Sequence, residues 1–180
     1  KGQFARETSE FFPEAQLYCF EPLAAPYRTL SEWAEGQGGR VRCFNTALGE
    51  SNGEVTMHQH DDHSPSSSLL ASTDTCHELY PQTRAEHMTT IQITTMDEAL
   101  ADAMASMPRD ILLKLDVQGF EDRVLRGGRQ VLSQCRAVVL EVCVEPLYQA
   151  QANFHVITKL LYEAGYKYAG NLDQAYGKDG

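Results

Sequence analysis

DILLKLDV, residues 110–117, and AVVLEVCV, residues 137–144, are near-continuous apolar runs of strand length. Runs of this kind suit parallel strands covered on both faces, where neither side of the pleat meets water. The stretch between them, GFEDRVLRGGRQVLSQ (119–134), places Phe120, Val124, Leu125, Val131 and Leu132 on one helical side. Gly127-Gly128 is expected to break or kink that helix, since glycine gives up the most conformational freedom there. Strand, helix and strand in this order make a βαβ unit.

The same alternation extends outward. QLYCFEP (16–22) reads as a strand stopped by Pro22, and VRCFNTAL (41–48) as the next. Between them Tyr27, Leu30 and Trp33-Ala34 recur at helical spacing, and Gly36, Gly38 and Gly39 end the helix. GEVTMHQH (53–60) alternates after an Asn-Gly turn, which predicts a more exposed strand. TIQITT (90–95) reads as another strand, and a helix is expected from Asp97 to about Met107. Phe154, Ile157, Leu160, Leu161 and Ala164 form a helical stripe closed by Gly165, with YKYAGN (166–171) as a strand after it. Strands alternating with helices predict an α/β fold with a mostly parallel, doubly wound sheet. In such sheets ligands bind beyond the carboxyl ends of the strands. The polar residues there are Glu21, the 45–48 stretch, Asp116 with Gln118, and Glu141 with Glu145.

Five blocks in order, CFEPLAAPYRTL, NTALGESNGEV, TTMDEAL, LLKLDVQGFEDRVLRGG and VVLEVCVEPLY, resemble the FkbM family of S-adenosylmethionine-dependent methyltransferases. The likeness runs from Lys1 to about Tyr176, and LKLDVQGFE is its most specific block. The resemblance implies a Rossmann-like class I methyltransferase, a single domain over 1–180, acting on a hydroxyl of a sugar or natural product. It also implies a chain incomplete at both ends. Such sequences open on a first strand and a D-x-G-A-N-x-G-Q-F turn, of which only KGQF is present, and the far end stops at YGKDG without a last strand. A missing central strand would leave two apolar strands with open edges in the core, which is costly.

The same resemblance, joined to strand-end position, assigns candidate residues. Glu21 is the carboxylate that would accept hydrogen bonds from both ribose hydroxyls of S-adenosylmethionine, with Pro22 beside it; an ordinary exposed glutamate is the bland reading. Gly2 and Gln3 are the remnant of the glycine turn, and Ala47 and Leu48 match the family's place for the adenine ring, with plain core packing as the alternative. Asp116 would lie near both cofactor and acceptor. Glu121 and Glu141 complete the catalytic candidates, although Glu121 could instead favour the positive end of its helix and Glu141 could bind a backbone amide. Lys114 shares a sheet face with Asp116, so a structural ion pair is also open there.

A formal charge of −10 argues against a nucleic-acid backbone or an anionic membrane as partner, because no basic stripe exists to displace counterions. There is no run of 18 apolar residues. Five cysteines, an odd number with no C-x-x-C, read as buried free thiols, and a cytoplasmic location is expected. His58, His60, Asp62 and His63 spell H-x-H-x-D-H, which resembles the zinc motif of metallo-β-lactamases. A tetrahedral metal needs ligands converging from further loops, and Ser64-Pro65 follows where glycines are usual. No metal is therefore expected, and residues 58–88 are expected to form a loop or lid insertion, one of whose histidines could serve as a base. Two rivals stay open. A nicotinamide-dependent oxidoreductase would use the same acidic residue but a G-x-G-x-x-G turn. A degenerate, non-catalytic interaction domain would have lost its cofactor site.

Overall fold

The computed structural model describes residues 2–60 and 64–174. In chain order the elements are α1 (Gln3–Phe11), β1 (Leu17–Phe20), α2 (Ala24–Glu35), β2 (Val41–Phe44), β3 (Ala47–Gly49), β4 (Gly53–His60), α3 (Asp74–Leu79) and β5 (Glu86–Thr95). Then follow α4 (Met96–Ala99), α5 (Ala101–Met104), β6 (Ile111–Leu115), α6 (Glu121–Arg126), α7 (Arg129–Gln134), β7 (Cys135–Leu140) and α8 (Phe154–Glu163). The architecture is mixed α/β. Parallel pairing joins β1 to β2, β3 to β5 and β6 to β7, while β4 runs antiparallel to β5. Among the described residues backbone hydrogen bonds group the strands into three sheets, not into one continuous doubly wound sheet.

The βαβ unit at the heart of the sequence forms as expected. Ile111 pairs with Cys135 and Leu115 with Leu140, with a register shift between Ile111 and Leu112. The strand begins two residues before the AVVLEVCV run and ends at Leu140, where the Glu141 N–H donates to the Leu115 carbonyl at 3.2 Å. The Gly127-Gly128 pair does divide the helix between α6 and α7. The Asp97 carboxylate seals the new start, accepting from the N–H groups of Gln130 (3.0 Å) and Val131 (2.9 Å). Val124, Leu125, Val131 and Leu132 are all buried and meet Leu48, Met96, Leu100, Leu115 and Ile157 in the main core. A smaller core joins Leu23, Ala47, Met57 and Ile91.

Three elements differ from expectation. VRCFNTAL is two strands, because the Asn45 side chain turns back to donate to the carbonyls of Glu21 (2.9 Å) and Pro22 (3.0 Å), and the chain leaves β2 for β5. The predicted 97–107 helix opens one residue early, with the Thr95 hydroxyl accepting from the Glu98 N–H at 3.1 Å, and breaks at Leu100 into α4 and α5. YKYAGN forms no strand. Its Tyr166 hydroxyl binds the carbonyls of Leu132 (2.6 Å) and Cys135 (2.7 Å), which ties this segment to the α7–β7 junction by a side chain instead of a backbone ladder.

Candidate active site

Lys114 and Asp116 lie two residues apart at the end of β6, so the pleat turns both side chains to one face. Their Nζ and Oδ2 atoms meet at 2.6 Å. The chain then turns sharply: Gln118 has φ +54° and Gly119 φ +93°. Gly119 takes that conformation freely, but Gln118 carries a Cβ and is strained there. The turn is held from inside by Glu121, which opens α6. Its Oε1 accepts the N–H groups of Val117 (3.2 Å) and Gly119 (3.3 Å). Burial raises the Glu121 pKa above the usual carboxylate range, against the pull of these N–H groups.

A stability test separates charge from hydrogen bonding at this residue. Glu121→Gln keeps an oxygen for both N–H groups and removes the cost of a buried charge, so it should melt near or above the unaltered protein at neutral pH. Glu121→Ala strands two N–H donors and should cost about 2 kcal/mol in denaturant unfolding. Equal midpoints for the two variants would show that Glu121 does not brace the turn.

Glu141 is the first residue beyond β7, and Gln118 bridges the two strand ends. Its Nε2 lies 2.7 Å from Asp116 Oδ1 and 3.3 Å from Glu141 Oε2. The two carboxyl groups titrate in opposite directions. Partial burial pushes Asp116 up, but the Lys114 ammonium and the Gln118 amide outweigh it and hold Asp116 below the usual range. Glu141 is pushed up by partial burial and then by the neighbouring Asp116 charge. The pair thus takes up its first proton on Glu141. A small cavity opens beside it, lined by Gln118, Glu141, Cys143, Tyr148 and Gln151 among others. Tyr148 is the member that sequence reasoning missed. A lone tyrosine in a connecting segment has no periodic partner to mark it.

Glu21 and Pro22 stand at the corresponding end of β1. The Glu21 N–H donates to the Phe44 carbonyl (3.0 Å), and Glu21 Oε1 accepts the Leu23 N–H (3.0 Å), which fixes the carboxylate against the start of α2. Gly2, with φ +65°, precedes α1, and Gln3 donates to Glu7 within that helix at 3.0 Å. The next residue, Phe4, has the Lys114 ammonium 5.5 Å from its ring centre. The 2–4 segment is thereby brought to the end of β6 that carries Asp116. Ala47 and Leu48 are both 7% exposed and pack into the two cores, so their side chains are engaged in packing.

His58 and His60 share one face of β4, and Glu86 on β5 takes both rings, at 3.3 Å from His58 Nδ1 and 3.4 Å from His60 Nε2. His60 is fully buried, and burial lowers its pKa despite Glu86. Asp62 and His63 of the histidine string lie outside the described residues. The 58–88 stretch also contains α3 and the first strand residues of β5. All five cysteines are free thiols, and burial pushes Cys19 up to about 12 and Cys135 to about 11. No described helix is long and apolar enough to cross a membrane.

Acidic side chains beyond the carboxyl ends of parallel strands, fed by βαβ connections, define an α/β enzyme. Residues 4–168 match the methyltransferase FkbM domain, and the chain belongs to that family of methyltransferases. It is 27% identical over 168 residues to the 2-O-methyltransferase NoeI of Sinorhizobium fredii (strain NBRC 101917 / NGR234), covering 89% of this chain and 67% of the relative. No solved structure matches it.

Proposed function

We propose that this methyltransferase moves a methyl group from S-adenosylmethionine to a hydroxyl of a sugar or natural product, on a Rossmann-like sheet. The observation that carries the acceptor side is the Lys114–Asp116–Gln118–Glu141 cluster across the ends of β6 and β7. A methyltransferase family and a relative named as a 2-O-methyltransferase support an oxygen acceptor.

The donor set at β1 fits the cofactor chemically. Glu21 is a carboxylate fixed at a strand end, suited to vicinal ribose hydroxyls. Gly2, Gln3 and Pro22 are the neighbouring backbone candidates, while Ala47 and Leu48, whose side chains are packed into the cores, would offer an adenine ring only their backbone. When bound, the cofactor supplies an electrophilic methyl carbon. The chain's own work is to place the acceptor oxygen and receive its proton. Asp116, ionised beside Lys114, orients the hydroxyl. Glu141, whose pKa is raised above the ordinary glutamate range, is the better base of the two carboxylates and the group suited to take the proton. Family membership favours this reading over a nicotinamide oxidoreductase.

The cofactor assignment is tested by calorimetry with S-adenosylhomocysteine. Glu21→Ala should weaken binding by more than about tenfold, because a charged acceptor of two hydrogen bonds is lost. Unchanged affinity would remove Glu21 from the site.

A further inference from the structure

The geometry points to Tyr148 as a positioning residue for the Asp116–Glu141 pair, acting through the side chain of Gln118. It rests on the reading of those carboxylates as the acceptor-side groups.

Gln118 is held in a strained conformation by contacts at both of its ends. The Ser68 hydroxyl donates to its backbone carbonyl at 2.6 Å. At the other end the Tyr148 hydroxyl donates to its Oε1 at 2.7 Å. A primary amide has one oxygen and one NH2, so a donor on one side and carboxyl oxygens on the other together settle which way the NH2 points. Here it points at Asp116 and Glu141. The reversed amide would set a carbonyl oxygen against two acidic groups and leave Tyr148 without that acceptor. Burial raises the Tyr148 pKa, so its hydroxyl stays a donor across the working pH range.

Tyr148 is itself rigidly mounted. It is 2% exposed, and its backbone N–H donates to Gln151 Oε1 at 3.0 Å. Its ring lies against Gly119, where an added Cβ would meet Tyr148 Cδ2 at 3.2 Å. The hydroxyl is also 3.0 Å from the Ser66 carbonyl, and the Ser66 hydroxyl is 2.9 Å from His60 Nδ1. One phenolic proton cannot fully serve two acceptors, so any movement of the 64–68 segment changes its share to Gln118. The titratable groups facing the pair are Lys114 on β6, Glu121 on α6, and Cys143 with Tyr148 on the segment after β7.

Carboxyl-carbon NMR titration reads this directly. In Gln118→Leu the amide donor is gone, and the Asp116 midpoint should rise by about half a pH unit or more. Tyr148→Phe should produce a rise of the same sign, because an unanchored amide leaves its place. Tyr162→Phe, on the exposed side of α8, should leave the midpoint where it was. An Asp116 midpoint unmoved in both test variants overturns the assignment. So does a rise in Gln118→Leu with none in Tyr148→Phe, since Gln118 would then hold its position unaided. In the unaltered protein the Tyr148 hydroxyl proton should be visible with a cross-peak to the Gln118 side chain; its absence overturns the assignment even if Tyr148→Phe does not fold. These readouts are independent of turnover, so they fail separately from the catalytic reading of Asp116.

Discussion

Gly127→Ala is expected to lose about 3 kcal/mol or more of folding stability, a large share of the roughly 5–15 kcal/mol that holds a domain folded. The backbone conformation is not the reason, since φ at Gly127 is −82°, which any residue adopts. Space is the reason. A Cβ there would sit 1.9 Å from the Gly49 carbonyl oxygen and 2.9 Å from its carbon. Both neighbours are backbone, and Gly49 is pinned as the last residue of β3, in register with Thr95. Neither α6 nor β3 can retreat without opening the main core around Leu48, Val124 and Leu125. Gly128→Ala is the useful contrast. Its Cβ would meet the Met96 Cε at 2.0 Å, and that methyl is the far end of a flexible side chain. Its cost should be clearly smaller. Urea unfolding of both variants checks the pair, and comparable losses would show that the Gly127–Gly49 approach is not rigid.

That glycine pair shows where the sequence was legible and where it was not. The apolar runs, the helical stripes and the break at Gly127-Gly128 follow from periodicity and local chemistry, and the βαβ unit they predict is present. What Gly127 touches is 78 residues away in the chain and has no local signature. The same applies to the division of VRCFNTAL, which depends on Asn45 finding the carbonyls of Glu21 and Pro22, and to the fate of YKYAGN, which depends on one tyrosine hydroxyl. Strand propensity cannot say whether a partner edge exists. At the site, the strand-end rule found Asp116, Gln118 and Glu141, and the structure brings them together. It could not find Tyr148, which reaches Gln118 from 30 positions further along the chain. Nor could it show that Glu121 spends its Oε1 on the turn.

The carboxylate pair itself should respond to substitution through two separable effects. Glu141→Gln removes the proposed proton acceptor and should lower methyl incorporation from labelled S-adenosylmethionine into a sugar-hydroxyl acceptor by about 100-fold or more. In the unaltered enzyme Glu141 must be deprotonated to act, so turnover should fall as pH drops through its pKa. That limb should lie above the ordinary glutamate range, because partial burial and the Asp116 charge both hold the proton on. In Glu141→Gln the limb should vanish with the activity. Asp116→Asn should also cut turnover by about tenfold or more, since a fixed anion near the acceptor is lost. Its effect on pH dependence should have the opposite character. Removing the Asp116 charge relieves Glu141 while Lys114 remains, so the surviving activity should keep its acid limb and move it to lower pH. Cofactor affinity, measured with S-adenosylhomocysteine, should change little in Glu141→Gln. A limb that stays put in Asp116→Asn would uncouple the two carboxylates. Full turnover in Glu141→Gln would transfer the proton to another group, with the acid limb of that variant identifying its pKa.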